Sequence, residues 1–343
     1  MDNDRLEATA RALTADGKGL LAMDESNPTA DKRFAALGIA QTPEMRRAYR
    51  DMIVTAPGLA ESIGGAILYD ETIRSTTLAG LPFAAALEKV GIIPGIKVDA
   101  GARPLALHDG ELVTEGLDGL RERLAEYSTM GARFAKWRAV ITIDDTRDAP
   151  SRGCLEANAH ALARYAALCQ EAGIVPIVEP EVLMDGAHTL ARCAEVTERT
   201  LAIVFEALRT QRVRLEGMIL KPNMVVPGLK CPTQDSVEAV ADVTVRVFRR
   251  AVPAAVGGIA FLSGGQSAVD ASARLNAMHV RHGRELPWPL AFSFARAIQD
   301  PAMKAWGGRS ENVAAAQRAL VERARLNRLA RRGEYAAGME TPH

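Results

Sequence analysis

Along this chain, short runs of apolar and β-branched residues recur, and each closes on a polar or charged residue. They are GLLAMDE near Asp24, GGAILYD near Tyr69, IIPGIKVD near Lys97, ARFAKWR near Lys136, IVPIVEPE near Glu179, MILKPN at Lys221, GIAFLSG near Ser263 and PLAFSFAR near Arg296. Runs this short, punctuated by Gly and Pro, read as buried strands. Their ends are spaced from 28 residues (Tyr69 to Lys97) to 45 (Asp24 to Tyr69). Each gap holds a loop, a helix and the return to a parallel neighbour. Between the runs the period changes to that of a helix. In EGLDGLRERLAEYSTMG, Leu117, Leu120, Leu124 and Tyr127 fall on one face, and Gly131 stands where a C-cap belongs. LEANAHALARYAALCQEAG repeats the device with Leu155, Leu162, Tyr165, Leu168 and a closing Gly173.

Eight strands with helical crossovers admit a closed (β/α)8 TIM barrel or a wide doubly wound sheet. Charge placement favours the barrel, because barrel enzymes build their chemistry at the C-terminal ends of several strands, and there the charged residues of this chain collect. An open sheet would concentrate its ligand groups after one glycine-rich turn, and the chain has no GxGxxG. No low-complexity linker interrupts the pattern, so residues 1–343 are expected to form one catalytic domain with a short tail from about 334 to 343.

Composition narrows the class without naming a chemistry. The 343 residues are 48% hydrophobic and 24% charged, with a formal net charge of +0. That balance describes a globular protein and argues against a nucleic acid or membrane surface as the main partner. Cys154, Cys169, Cys193 and Cys231 show no CxxC spacing, the start MDNDRLE is charged, and no apolar stretch approaches the roughly 18 residues of a membrane span. A reduced, cytoplasmic protein is expected.

Within the strand-like runs, charges recur at period two, so both members of a pair face one way. Lys97 and Asp99 flank Val98, Lys136 and Arg138 flank Trp137, Glu179 and Glu181 flank Pro180, and Lys221 and Asn223 flank Pro222. With Asp24 they would ring Lys221 with opposed charges that perturb one another's protonation. Lys136 and Arg138 are expected to lower the proton affinity of Lys221, giving an amine able to attack a carbonyl and form a Schiff base. A lone lysine in such a place is usually a snorkelling strand terminus. A structural ion-pair network would explain the pairing, but not its convergence from several strands.

Two stretches suggest anion binding. Ser263, Gly264 and Gly265 in FLSGGQS follow strand seven, and Arg296 ends strand eight, where barrels commonly hold phosphate. In DESNPTADKR, Ser26, Thr29, Lys32 and Arg33 offer hydroxyls and cations beside Asp24, although a helix N-terminus explains them equally well. Of the histidines only His279 and His282 are usefully spaced, and without further ligands nearby they read as an exposed helix end or loop. No metal and no cofactor are expected.

Taken in order, AMDES, GIKVD, GLDGL, FAKWR, NAHALARYA, GIVPIVEPE, LEGMILKPNMVVPG, FLSGGQS and MKAWGG resemble class I fructose-bisphosphate aldolase, the Schiff-base, metal-independent type. The resemblance runs from about Leu13 to Gly338. It implies reversible cleavage of fructose 1,6-bisphosphate to dihydroxyacetone phosphate and glyceraldehyde 3-phosphate, in glycolysis and gluconeogenesis, usually by a homotetramer. By the same resemblance Lys221 is the Schiff-base lysine, and Glu179 the acid and base of carbinolamine formation and dehydration. Lys136 assists those proton transfers, Asp24 takes the C4 hydroxyl proton, and Glu181 tunes charge near the nucleophile. Ser263, Gly264 and Arg296 match the C1-phosphate site; Lys97, Arg138, Ser26 and Arg33 match residues around the hydroxyls and the C6 phosphate. A fructose 1-phosphate aldolase is the nearest rival, and a non-catalytic scaffold has no use for the charge ring. Ala295 stands where animal members have glycine, Asn27 and Pro28 replace a Thr-Gly pair, and the chain ends eight residues after Tyr335. These departures leave the phosphate preference open and predict a catalytically passive tail.

Overall fold

All eight apolar runs form strands, and the strands close on themselves. The computed structural model describes residues 3–15 and 17–340. Its strands are Gly19–Ala22 (β1), Ile63–Leu68 (β2), Ile93–Lys97 (β3), Phe134–Ile141 (β4), Val175–Val182 (β5), Ile219–Leu220 (β6), Ile259–Phe261 (β7) and Leu290–Phe294 (β8). Each lies parallel to its neighbours, and β8 returns to pair with β1, giving a closed (β/α)8 barrel with helices between successive strands.

Alternation along the strands divides the apolar residues into two cores. Inward-facing Leu20, Ala22, Ile67, Phe134, Val175, Ile177, Ile219, Ala260 and Ala291 meet Leu6, Ala10 and Leu13 of the helix Asn3–Leu13. That helix closes the N-terminal mouth, so the barrel has an apolar floor. The outward-facing side chains pack under the surrounding helices. From the helix Arg152–Glu171, the buried Tyr165 hydroxyl donates to the carbonyls of Ala135 at 2.7 Å and Ile177 at 3.2 Å, tying the helix to β4 and β5.

Several details depart from the sequence pattern. The first predicted helix runs from Leu120 to Thr129, leaving Leu117 in the preceding loop, packed against the core. An antiparallel pair, Gly101–Pro104 with Leu112–Glu115, follows β3 and forms part of the rim above it; its Thr114 hydroxyl donates to the carbonyl of Arg138 at 2.8 Å. β6 keeps only two residues. Past it the extended period fails: Asn223 does not face the lumen but accepts from the Val182 amide and donates to Thr197 on the outer helix Leu190–Thr210.

The long helix Val313–Arg332 fastens the chain end. Tyr335 is buried and donates to Glu340 at 2.8 Å, while the buried Arg323 grips both Glu340 oxygens and donates to Ala268 O at 3.0 Å and Ser272 Oγ at 2.8 Å.

Gly95 in β3 is required by close approach: a Cβ there would stand 2.2 Å from the Phe134 ring. Gly95→Ala is therefore expected to cost about 1–3 kcal/mol through overpacking, and Phe134→Leu in the same chain should recover part of it. Urea denaturation of the single and double variants checks this; an unchanged midpoint in Gly95→Ala would contradict the packing.

Candidate active site

At the C-terminal mouth the inward positions change from apolar to charged, one layer above the floor. Phe134 lies beneath Lys136 and Arg138 on β4, Ile177 beneath Glu179 and Glu181 on β5, and Ile219 beneath Lys221 just past β6. Register fixes their neighbours: Lys97 stands opposite Lys136, and Arg138 opposite Glu179. The Lys221 amide donates to Val178 O at 2.8 Å, holding this lysine to β5 although β6 has ended.

Together these residues line a cavity of about 410 Å³ with Asp24, Ser26, Thr29, Asp99, Ser263, Gly264, Ser293, Ala295 and Arg296. At its base Lys221 and Glu179 are each 3% exposed, with Lys221 Nζ 3.1 Å from Glu179 Oε1. Lys136 Nζ lies 2.6 Å from Asp24 Oδ2 and 3.5 Å from Glu179 Oε2. That second Glu179 oxygen is buried and makes no hydrogen bond among the described residues, its charge being met by the Lys136 ammonium. Lys97 pairs with Asp99 at 2.6 Å, and Arg138 pairs with Glu181.

Burial alone would keep Asp24 protonated, but the ammonium groups of Lys136, Lys221 and Lys97 outweigh it and hold the carboxyl down at about 2. Burial likewise opposes the charge of Lys136, yet Asp24, Glu179 and Asp99 raise its pKa above the ordinary lysine value. Lys136 is thus a fixed cation between two carboxylates.

The loop after β7 also borders the cavity, at Ser263 and Gly264. Gly264 and Gly265 have φ of 58° and 102°, left-handed values that glycine adopts without strain. Ala295 precedes Arg296 with φ of −103°, so its methyl group incurs no left-handed strain.

Of the candidates, Arg33 lies outside the cavity lining. The guanidinium of Arg33 is engaged by Glu25 and by Asp300, the latter at 2.8 Å. Ser26 occupies the N-cap of the helix Asn27–Ala35, but its hydroxyl contacts Thr29 rather than capping. Asn27 donates to Glu71 at 2.9 Å. His279 is half-buried, not exposed, with Nε2 3.2 Å from Leu290 O, and His282 pairs with Asp242 at 2.7 Å.

Glu25 also lines the cavity, although the period-two pairing of charges does not include it. It gathers Arg33, Arg50 at 2.8 Å and Gln299 at 3.0 Å, and although burial opposes its charge, Arg50 and Arg33 lower its pKa. Two consecutive acids closing a buried strand were the available signal, since one faces the lumen and the other the surrounding helices.

A family model described as fructose-bisphosphate aldolase class-I matches residues 5–343. This chain belongs to that family. It is 56% identical over 336 residues to a protein of Xanthomonas campestris pv. campestris named probable fructose-bisphosphate aldolase class 1, covering 98% of this chain and 99% of that one. To the fructose-bisphosphate aldolase of Dictyostelium discoideum it is 50% identical over 339 residues, covering 98% and 94%. A solved structure of the Plasmodium falciparum aldolase, in complex with TRAP and a small-molecule inhibitor, is similar throughout. Its TM-score is 0.96 at 46% identity, covering 98% of this chain and 96% of that one. The class-I aldolase family thus accounts for both the barrel and the order of the motifs.

Asp24 gives a pH test. Its folded pKa lies below the unfolded 3.8, so its contribution is fully present above about pH 4 and is lost as the pH falls toward about 2. The size is about 2 kcal/mol at 1.36 kcal/mol per unit. Urea denaturation across this window should show the loss, and Lys136→Met should flatten it; an identical acid limb in the variant would contradict the pairing.

Proposed function

We propose that this chain cleaves fructose 1,6-bisphosphate reversibly to dihydroxyacetone phosphate and glyceraldehyde 3-phosphate through a Schiff base on Lys221. The observation that carries the reading is the buried Lys221 Nζ beside Glu179 Oε1 at 3.1 Å. In this reading Glu179 takes the ammonium proton, freeing the amine to add to the C2 carbonyl. Returned to the carbinolamine hydroxyl, that proton lets water leave and an iminium form.

The iminium is the electron sink. Asp24, held near 2, is a weak base, so the pull for C3–C4 cleavage comes from the cation at C2. As Asp24 accepts the C4 hydroxyl proton, the C3–C4 pair moves toward nitrogen, the aldehyde departs and an enamine remains. Protonation at C3 and addition of water release dihydroxyacetone phosphate and regenerate Lys221. Lys136 assists as a fixed ammonium that keeps Asp24 ionised, and Glu181 anchors Arg138 at the rim. Ser263, the Gly264 amide and Arg296 receive the C1 phosphate; Lys97, Arg138, Ser26 and, at the edge, Arg33 serve the hydroxyls and the C6 phosphate.

The engagement of Arg33 with Glu25 and Asp300 favours one second reading, in which fructose 1-phosphate is the better substrate. Comparing kcat/KM for the two sugars separates them. The resemblance further supports a cytoplasmic homotetramer, and the exposed Leu78, Leu107 and Val280 offer apolar surface for such contacts. Among the described residues no helix is long and apolar enough to cross a membrane.

Borohydride added with dihydroxyacetone phosphate should trap a covalent adduct at Lys221, and activity should persist in excess chelator. Lys221→Met should abolish both adduct and cleavage, whereas Glu179→Gln should retain binding and slow dehydration by about 10² to 10⁴. Absence of the adduct, or an effect of Glu179→Gln on KM alone, would sink these assignments.

A further inference from the structure

Arg274, on the helix Ala268–His282, is a buried cation with no ion-pair partner among the described residues. Only 8% of it is exposed, and no carboxylate lies within ion-pairing distance of it among the described residues. Its Nε is buried without a hydrogen-bond partner among the described residues. Asp270, one turn earlier, acts on it only at longer range and is itself bound by the Ser267 hydroxyl. An unpaired buried guanidinium opposes folding, and such groups persist mainly where function uses the charge.

The contact that Arg274 does make points to that use. Its Nη1 donates to Gln266 Oε1 at 2.8 Å. Gln266 ends the loop begun by Ser263, and its amide donates back to Ser263 O at 2.9 Å, closing the turn that holds Gly264 and Gly265 in their left-handed conformations. Gln266 also borders a cavity shared with Ser263, Arg296, Lys304 and Asp300, the last of them paired with Arg33. A carboxamide whose oxygen is committed to Arg274 has only N–H groups left to offer.

We propose that Arg274 is a positioning residue for the phosphate end of the site. Through Gln266 it holds the Ser263–Gln266 turn in its anion-receiving shape, keeps the donor side of the amide free for phosphate oxygens, and adds a positive charge behind them. The proposal rests on the aldolase reading for its substrate, but not for its binding test.

The test uses Arg274→Met, Gln266→Met and the double variant in the full chain. The readouts are the Kd of inorganic phosphate by calorimetry, kcat and KM for fructose 1,6-bisphosphate, and Tm. Arg274→Met should weaken phosphate binding and raise KM by about fivefold to tenfold, change kcat by less than about threefold, and leave Tm unchanged or higher. Gln266→Met should do the same, and the double variant should be no worse than the more affected single variant, because both act through one contact. Arg274→Lys should recover part of the loss. Unchanged phosphate binding, additive losses, or a fall in Tm that matches the loss of binding would overturn the assignment. Should Arg274→Met fail to fold, the phosphate affinity of Gln266→Met decides alone, since that side chain lies on a half-buried loop. A wild-type chain that binds phosphate but does not cleave the bisphosphate would instead overturn the functional reading.

Discussion

Everything at the mouth of this barrel depends on one ammonium group, that of Lys136, held between Asp24 and Glu179. Charges this deeply buried are tolerated only when paired, and the pairing draws on separate strands: β1 leads to Asp24, β4 carries Lys136, and β5 carries Glu179. Lys221, past β6, completes the line through the other oxygen of Glu179. A register slip of one residue on β4 would turn Lys136 into the outer apolar core and bring Trp137 inward, leaving both carboxylates without their shared cation. Strand register and site electrostatics are therefore a single constraint.

The apolar floor serves the same end. Phe134, Ile177 and Ile219 stand one inward position below Lys136, Glu179 and Lys221, and the helix Asn3–Leu13 closes the mouth beneath them. Water is kept from below, so the charges act on one another through a medium of lower polarizability than solvent. Glycines at 65 and 95 leave room for the Phe134 ring; a floor of smaller side chains would leave a void there.

Much of this was legible in the sequence because barrel strands are short, apolar and regularly spaced, and because period two carries directly into which charges meet. It failed where regularity fails. Asn223 was expected in the lumen, but β6 is two residues long and the chain turns away after Pro222. Glu25 escaped notice because its meaning lies in Arg33, Arg50 and Gln299, the last of them 274 positions away. Arg33 is chemically suited to phosphate, and only three-dimensional placement shows it already engaged. His279 followed the same logic: spacing suggested an exposed helix end, whereas the fold packs it beneath β8.

The fastening of Glu340 to Arg323 ties the last described residues to the body of the barrel. Arg323 also holds Ala268 and Ser272, at the start of the helix that follows the Ser263–Gln266 turn. Exopeptidase trimming that passed Glu340 would remove the counter-ion from a guanidinium only 2% exposed. Wear at the terminus is thereby converted into a loss of conformational stability, so that shortened molecules become the ones that unfold first.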